Sequence, residues 1–318
     1  MRWIILLSAP IVMSAGAEVR IENTAWQGWP NCRRITNGVV EMIVTTDVGP
    51  RVMRYGFVGG PNLLKEIPEE LGGKGEKDFK LRGGHRLWVA PENLKTSWAV
   101  DNGPVTATIE ADALTLAQPV DSAGIEKRIS IRMSASGSVE LAHSARNATG
   151  FAVEMAPWTL TMMAQGGLAI TGFPPRGKHP EVLLPTNPLV MWAYTDLADP
   201  RWKITRKYLT LRQDPKRPEP QKIGLFNADT WAAYLLGDNL YVKRVKADPA
   251  KSYPDFGCSF ETFTNADFLE LETLGPLTRL APGAAAEQTE RWSLHRGVRV
   301  PAISDEVLDR EVLPLIGK

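Results

Sequence analysis

Cysteine and histidine are scarce in this chain of 318 residues: Cys32 and Cys258 are the two thiols, and His85, His143, His179 and His295 the four imidazoles. Two cysteines in so long a chain are no disulfide framework, and the sequence leaves open whether they pair or stay as buried thiols. There is no His-Glu-x-x-His, no cysteine pair at zinc spacing and no calcium loop, so no metal is expected. A phosphate loop and a dinucleotide fingerprint are missing too, which argues against a nucleotide cofactor, and no cofactor is expected. No serine sits in a nucleophile elbow, which counts against a serine hydrolase.

An excess of one charge is also missing. Lys and Arg number 37 against 36 Asp and Glu, a balance that argues against a nucleic-acid partner or a surface held to acidic lipids. The apolar stretch Trp3–Met13 falls short of the roughly 20 residues a membrane helix needs. Arg2 before it and Ala15-Gly16-Ala17 after it read as a cleavable export signal. On that reading residues 1–17 are removed, the mature chain begins at Glu18, and the protein is periplasmic or secreted without a membrane anchor. No low-complexity linker divides what remains, so residues 18–318 are expected to form one domain.

Antiparallel β-structure is what the chain has in abundance. Val19–Asn23, a hairpin over Arg34–Asp47 turning at Asn37-Gly38, and Arg51–Val58 read as strands. So do Val105–Glu110, Ala113–Ala117, Ile125–Met133, Ser138–Asn147 and Glu154–Gln165, the last with Pro157 marking a bulge or kink. Glu66–Lys80, rich in Gly, Lys and Glu, reads as a loop or short helix. Tyr253–Leu294 reads as three consecutive strands, with Phe268-Leu269-Glu270-Leu271-Glu272 alternating apolar and charged before a Gly275-Pro276 break. Asp305–Leu313 is the one convincing helix. The expected fold is all-β, a large antiparallel two-sheet sandwich.

Phe173–Lys222 differs in kind, with recurring prolines and eight basic residues against two acidic ones between Arg201 and Lys222. We read it as long loops and short strands over one rim of the sheets, where binding residues often sit. Arg201, Lys203, Arg206 and Lys222 are placed to read an acidic sugar or a phosphate, although a charge run is more often a solvated face. Trp88, Trp158, Trp192 and Trp202 are candidate stacking surfaces for a sugar; sandwiches also bury such rings. His85 follows Gly83-Gly84, where a backbone can approach a ligand closely, and Arg86 beside it suits two-pronged contact with hydroxyls or a carboxylate. Glu92 is a second carboxylate candidate.

The segment Cys258-Ser259-Phe260-Glu261-Thr262 resembles the strand that carries the catalytic glutamate in the galactose mutarotase-like superfamily of aldose 1-epimerases, with one extra residue. Gly83–Glu92 (GGHRLWVAPE) and Phe268–Leu277 (FLELETLGPL) are similar to a set of mostly secreted bacterial proteins thought to share that fold. The resemblance implies a mutarotase-type supersandwich, a sugar or oligosaccharide ligand, and Glu261 as the base that takes a proton from an anomeric hydroxyl. Histidine suits proton transfer near neutrality, and His85 is the candidate acid. The chain departs from the epimerases after Asn147, where their acid histidine is missing and Trp158 stands in that region. Two further functions stay open: a non-catalytic carbohydrate-binding or periplasmic accessory protein, and a polysaccharide lyase-like enzyme.

Overall fold

The computed structural model describes residues 18–184 and 189–317, so the export signal expected at residues 1–17 lies outside the described residues. Two antiparallel sheets face each other. The larger, of eleven strands, runs in the order Arg20–Trp26, Trp29–Thr36, Val40–Thr45, Arg51–Phe57, His85–Ala90, Val153–Met163, Leu269–Leu274, Phe260–Thr264, Gln221–Leu225 and Leu189–Met191. The short strand Thr278–Leu280 pairs beside Val153–Met163. The smaller, of ten strands, runs Trp202–Ile204, Tyr208–Arg212, Leu168–Gly172, Asp229–Leu236, Asn239–Lys246, Ala285–His295, Val139–Asn147, Ile125–Met133, Ala113–Ala117 and Thr106–Glu110. The all-β sandwich read from the sequence is therefore the observed architecture.

Tyr253–Leu294 holds four strands rather than three, because Thr278–Leu280 forms just after the Gly275-Pro276 break. Pro157 belongs to the same junction. Val153–Met155 pair with Thr278–Leu280, whereas Trp158–Met163 pair with Leu269–Leu274. Proline has no N–H to give a ladder, so it falls where the strand changes partner. Glu66–Lys80 has only a single turn of 3-10 helix at Pro68–Glu70. The Phe173–Lys222 segment is less of a surface excursion than expected: it sends two strands into each sheet.

Burial separates the two sheets. In the smaller sheet Val139–Asn147 and Ala285–His295 alternate buried and exposed, the pattern of a strand with one face in water. Where that sheet is covered on its outer face, the Asp305–Glu311 helix does it, with Leu308 and Val312 against Ile170, Trp231 and Val242. Ser304 caps this helix by accepting from the Val307 N–H. In the larger sheet His85–Ala90, Gln221–Leu225 and Leu269–Leu274 are buried at every position. Their inner face packs on the core between the sheets, around Leu87, Leu269, Leu271, Tyr241 and Trp292. Their outer face is covered by loops instead, with Phe79 and Trp98 packed over Trp88, Ala156, Trp158 and Leu274. No helix among the described residues is long and apolar enough to cross a membrane. Cys32 and Cys258 are free and buried apart, each in a different apolar cluster.

Candidate functional site

The loops over the larger sheet leave a cleft of about 180 Å³ at its centre. Five adjacent strands supply its floor and walls. Register pairs Trp88 with Trp158, Arg86 with Leu160, Leu160 with Glu272, Glu272 with Glu261, and Glu270 with Phe263; Lys222 lies opposite Phe263 on the next strand. Side chains directly opposite in a ladder share a face, as do residues two apart along a strand. All these side chains therefore emerge on the outer face together. Trp98, Tyr194 and Glu92 close the cleft from the loops.

Lys222 is its electrostatic centre. Its ammonium lies 3.0 Å from Glu272 Oε2 and 2.7 Å from Glu261 Oε2, the latter an ion-pair contact without hydrogen-bond alignment. It also sits over two indole rings, 4.9 Å from the centroid of Trp158 and 4.6 Å from that of Trp192. Trp158 Nε1 donates to Glu272 Oε2 at 2.9 Å. Burial by itself would push Lys222 down, but Glu272 and Glu261 outweigh it and hold the ammonium charged well above the usual lysine range. Arg86 makes a second pair: it donates to Glu270 Oε1 at 3.2 Å and stacks 4.7 Å above Trp88.

The carboxyls respond to burial and to one another. Burial pushes Glu261 well above the carboxylate range; Lys222 opposes this, and Glu272 and Asp255 add to it. Glu270 is pushed up to about 7, mainly by burial, with Arg86 pulling down and Glu272 pushing up. Room for Glu261 depends on Gly224, directly opposite in the ladder. A Cβ there would stand 2.4 Å from Cys258 Sγ and 3.2 Å from Glu261 Cγ, closer than packed atoms sit.

The patch is also short of partners. Among the described residues twelve buried side-chain polar atoms lack a hydrogen bond, and five are here: Arg86 Nε, Trp88 Nε1, Glu272 Oε1 and both oxygens of Glu261. A buried polar group left unpaired costs about 1–3 kcal/mol, and more if charged. Such a cluster marks a candidate binding surface, since its missing partners come from water or from a ligand.

Several residues singled out in the sequence meet here: Glu261, Arg86, Trp88, Trp158 and Trp192, with Glu92 at the mouth accepting from Trp98 Nε1 at 3.0 Å. Glu261 itself is 0% exposed and lies behind Lys222 rather than on the cleft wall. Three residues lie elsewhere. Trp202 is buried in the core between the sheets and donates to Gln221 Oε1 at 3.0 Å. Arg201 is clamped by both oxygens of Asp199 and by the carbonyls of Arg217 and Glu219, so its guanidinium holds a loop rather than reading a ligand. His85 points into the core, since the alternation that turns Arg86 outward turns its neighbour inward.

There His85 joins a second polar cluster. Burial lowers the affinity of both His85 and His143 for a second proton, and with both rings neutral the network runs in one direction. Lys243 donates to Thr161 Oγ1 (3.1 Å), and Thr161 to His85 Nδ1 (2.9 Å). His85 Nε2 then donates to His143 Nε2 (2.8 Å), and His143 Nδ1 to the Gln288 carbonyl (3.2 Å). Glu290 lies 2.8 Å from Lys243 and accepts from Thr273 (2.5 Å), from Thr159 and from Trp292 Nε1 (2.7 Å). His85, His143 and Glu290 have the ligand chemistry for a metal and lie within reach of one another, but their lone pairs are taken up within this network.

Glu270 and Glu272 were missed as site residues. Their signal was present in the alternation of Phe268–Glu272, which places two glutamates on one face of a strand. Lys222 was singled out for acidic ligands, not for its place between two glutamates.

No family model matches the chain and no curated protein is similar to it in sequence. Solved structures do resemble it. The Slr1438 protein from Synechocystis sp. PCC 6803 aligns at 12% identity over 87% of this chain and 99% of that one, with a TM-score of 0.55. A galactose mutarotase-like protein from Lactobacillus casei ATCC 334 aligns at 12% identity over 82% and 99%, with a TM-score of 0.52. Another from Clostridium acetobutylicum aligns at 10% identity over 88% and 99%, with a TM-score of 0.50. At such identities the likeness speaks to architecture, and together with the two-sheet topology it shows that this chain has the galactose mutarotase-like fold.

Proposed function

We propose that the chain is an exported carbohydrate-active protein whose cleft binds a sugar and moves protons on it, as in anomeric epimerisation. Ring opening needs one group to take the proton of the anomeric hydroxyl and another to protonate the ring oxygen. A catalytic acid or base works best with a pKa near the working pH. Glu270 meets that requirement, at about 7 and on the cleft wall, and takes the acid role first assigned to His85. Glu261 stays the base candidate; burial and Glu272 favour its protonated form, and the Lys222 contact opposes this. Trp88 and Trp158 line the cleft beneath Arg86 and Lys222 and give it apolar walls for a sugar. The observation that carries this reading is the group of unpartnered charged and indole atoms on one aromatic-lined face.

A second reading, a sugar-binding protein without catalysis, is favoured by one feature: Glu261 has no exposed surface. Thermal-shift screening of monosaccharides, with polarimetry on every hit, separates the two. An epimerase accelerates mutarotation, and Glu261→Gln or Glu270→Gln abolishes the acceleration while binding persists. Binding with no acceleration in the parent leaves the second reading. Export belongs to the proposal as well: N-terminal sequencing of the periplasmic or secreted protein is expected to begin at Glu18.

A further inference from the structure

We infer that the sugar taken by this cleft carries a free, protonated amino group, as a 2-amino-2-deoxyhexose does. The inference rests on the sugar-binding reading above and adds the ligand's charge. Glu92, Glu270 and Glu272 line the cleft and Glu261 lies directly behind it, against two cations, Arg86 and Lys222. Both cations already hold carboxylates, and only Arg86 Nε keeps a free N–H. Lys222 is held between two carboxylates and two indole rings, and Arg86 between Glu270 and Trp88. An acidic sugar would meet two cations already paired and, at the mouth, Glu92, which has no cation beside it.

Three of the five unpartnered atoms in the patch are carboxyl oxygens. Glu261 Oε1 and Glu272 Oε1 are buried oxygens of fully buried residues, and as ionised carboxylates they call for N–H or O–H donors. The site already shows how it holds an ammonium. Lys222 Nζ is received by two carboxylates at 2.7 and 3.0 Å and by two ring faces, the arrangement that aromatic cages use for alkylammonium ligands. A ligand ammonium would repeat it with the free oxygen of Glu272, with Glu270, and with the ring of Trp98. A cleft of about 180 Å³ equals roughly six waters at ~30 Å³ each, which suits one ring rather than a chain.

The test is calorimetry on the full mature chain near neutral pH, with glucosamine and galactosamine against glucose, galactose, N-acetylglucosamine and glucuronate. The amino sugars are expected to bind about tenfold tighter or better than their neutral counterparts, the effect of one charge-assisted hydrogen bond. Acetylation should erase the gain, and Glu272→Gln and Glu270→Gln should each narrow the gap. Thermal melts on both variants confirm folding, and the parent comparison stands without them. Neutral sugars binding as tightly as amino sugars, or glucuronate binding tightest, overturns the inference and leaves the sugar-binding reading intact. No binding by any sugar overturns both.

Discussion

The His85–Ala90 strand divides two buried charge clusters that look alike in composition and differ in completeness. Inward, Lys243 meets Glu290 beside two histidines; outward, Lys222 meets Glu261 and Glu272, with Arg86 and Glu270 alongside. Each ammonium hydrogen of Lys243 has an acceptor, in Glu290, Thr161 and the Leu271 carbonyl, and both oxygens of Glu290 are occupied. What stays unpartnered near that cluster is neutral: the hydroxyls of Tyr55 and Tyr241 and the amide oxygen of Gln288. What stays unpartnered outward includes carboxylate oxygens. Although burial pushes up, Lys243 holds Glu290 well below the carboxylate range, whereas burial carries Glu261 well above it. A cluster that satisfies its own charges holds two sheets together.

The sharpest way to break this comparison is to remove each lysine. Lys243→Met strands the Glu290 charge between the sheets, and a loss of about 3–5 kcal/mol is expected in urea unfolding, the range for a broken buried pair. Lys222→Met abolishes ligand binding yet loses less, about 1–3 kcal/mol, since its carboxylates lie at or just behind a cleft that admits water. Equal losses would mean that the outer cluster is as structural as the inner one.

Gly224→Ala tests whether the outer carboxylates depend on exact spacing. Crowding against Cys258 and Glu261 should lower stability by about 1–3 kcal/mol and weaken sugar binding by tenfold or more. A variant of unchanged affinity would remove Glu261 from the site.

The smallest effect expected is a pH slope. Glu270 has a folded pKa of about 7, above its unfolded value near 4.3. The folded state therefore keeps a proton that the unfolded chain releases, and stability falls as pH rises between those values. Glu270→Gln should flatten this fall, at most about 1.4 kcal/mol per pH unit, in urea titrations from acid to neutral pH. Glu290 has the opposite sign: its contribution is present above the ordinary carboxylate range and is lost as pH falls through its depressed folded value. A Glu270→Gln variant with the same pH slope as the parent would mean that Glu270 is not the carboxyl retaining the proton.

Much of the architecture was legible because strands announce themselves locally. Ile125–Met133 was placed to the residue and the Asp305 helix start was correct, while the turn read at Asn37-Gly38 falls one residue later, at Gly38-Val39, with Asn37 still facing Val40. Of the site, Arg86, Trp88, Trp158 and Glu261 were legible as motif residues, and Trp192 as a rim aromatic. Trp202 and Arg201 were misplaced because a basic, aromatic, proline-rich stretch looks the same whether it lies on a rim or threads between sheets.

Alternation with period two by itself determined which side chains share a face: Arg86 with Trp88 against His85, and Glu270 with Glu272 against Leu271. It could not determine which of the two faces looks outward. That was decided by pairing between strands far apart in the chain, which brings Lys222 to Glu261 and Glu272, Trp158 to Glu272, and His85 to His143. The physical reason is that side-chain direction along a strand is local covalent geometry, whereas the environment of a face is set by whatever packs on it. Here a second sheet closes over one face, and loops leave a cleft on the other.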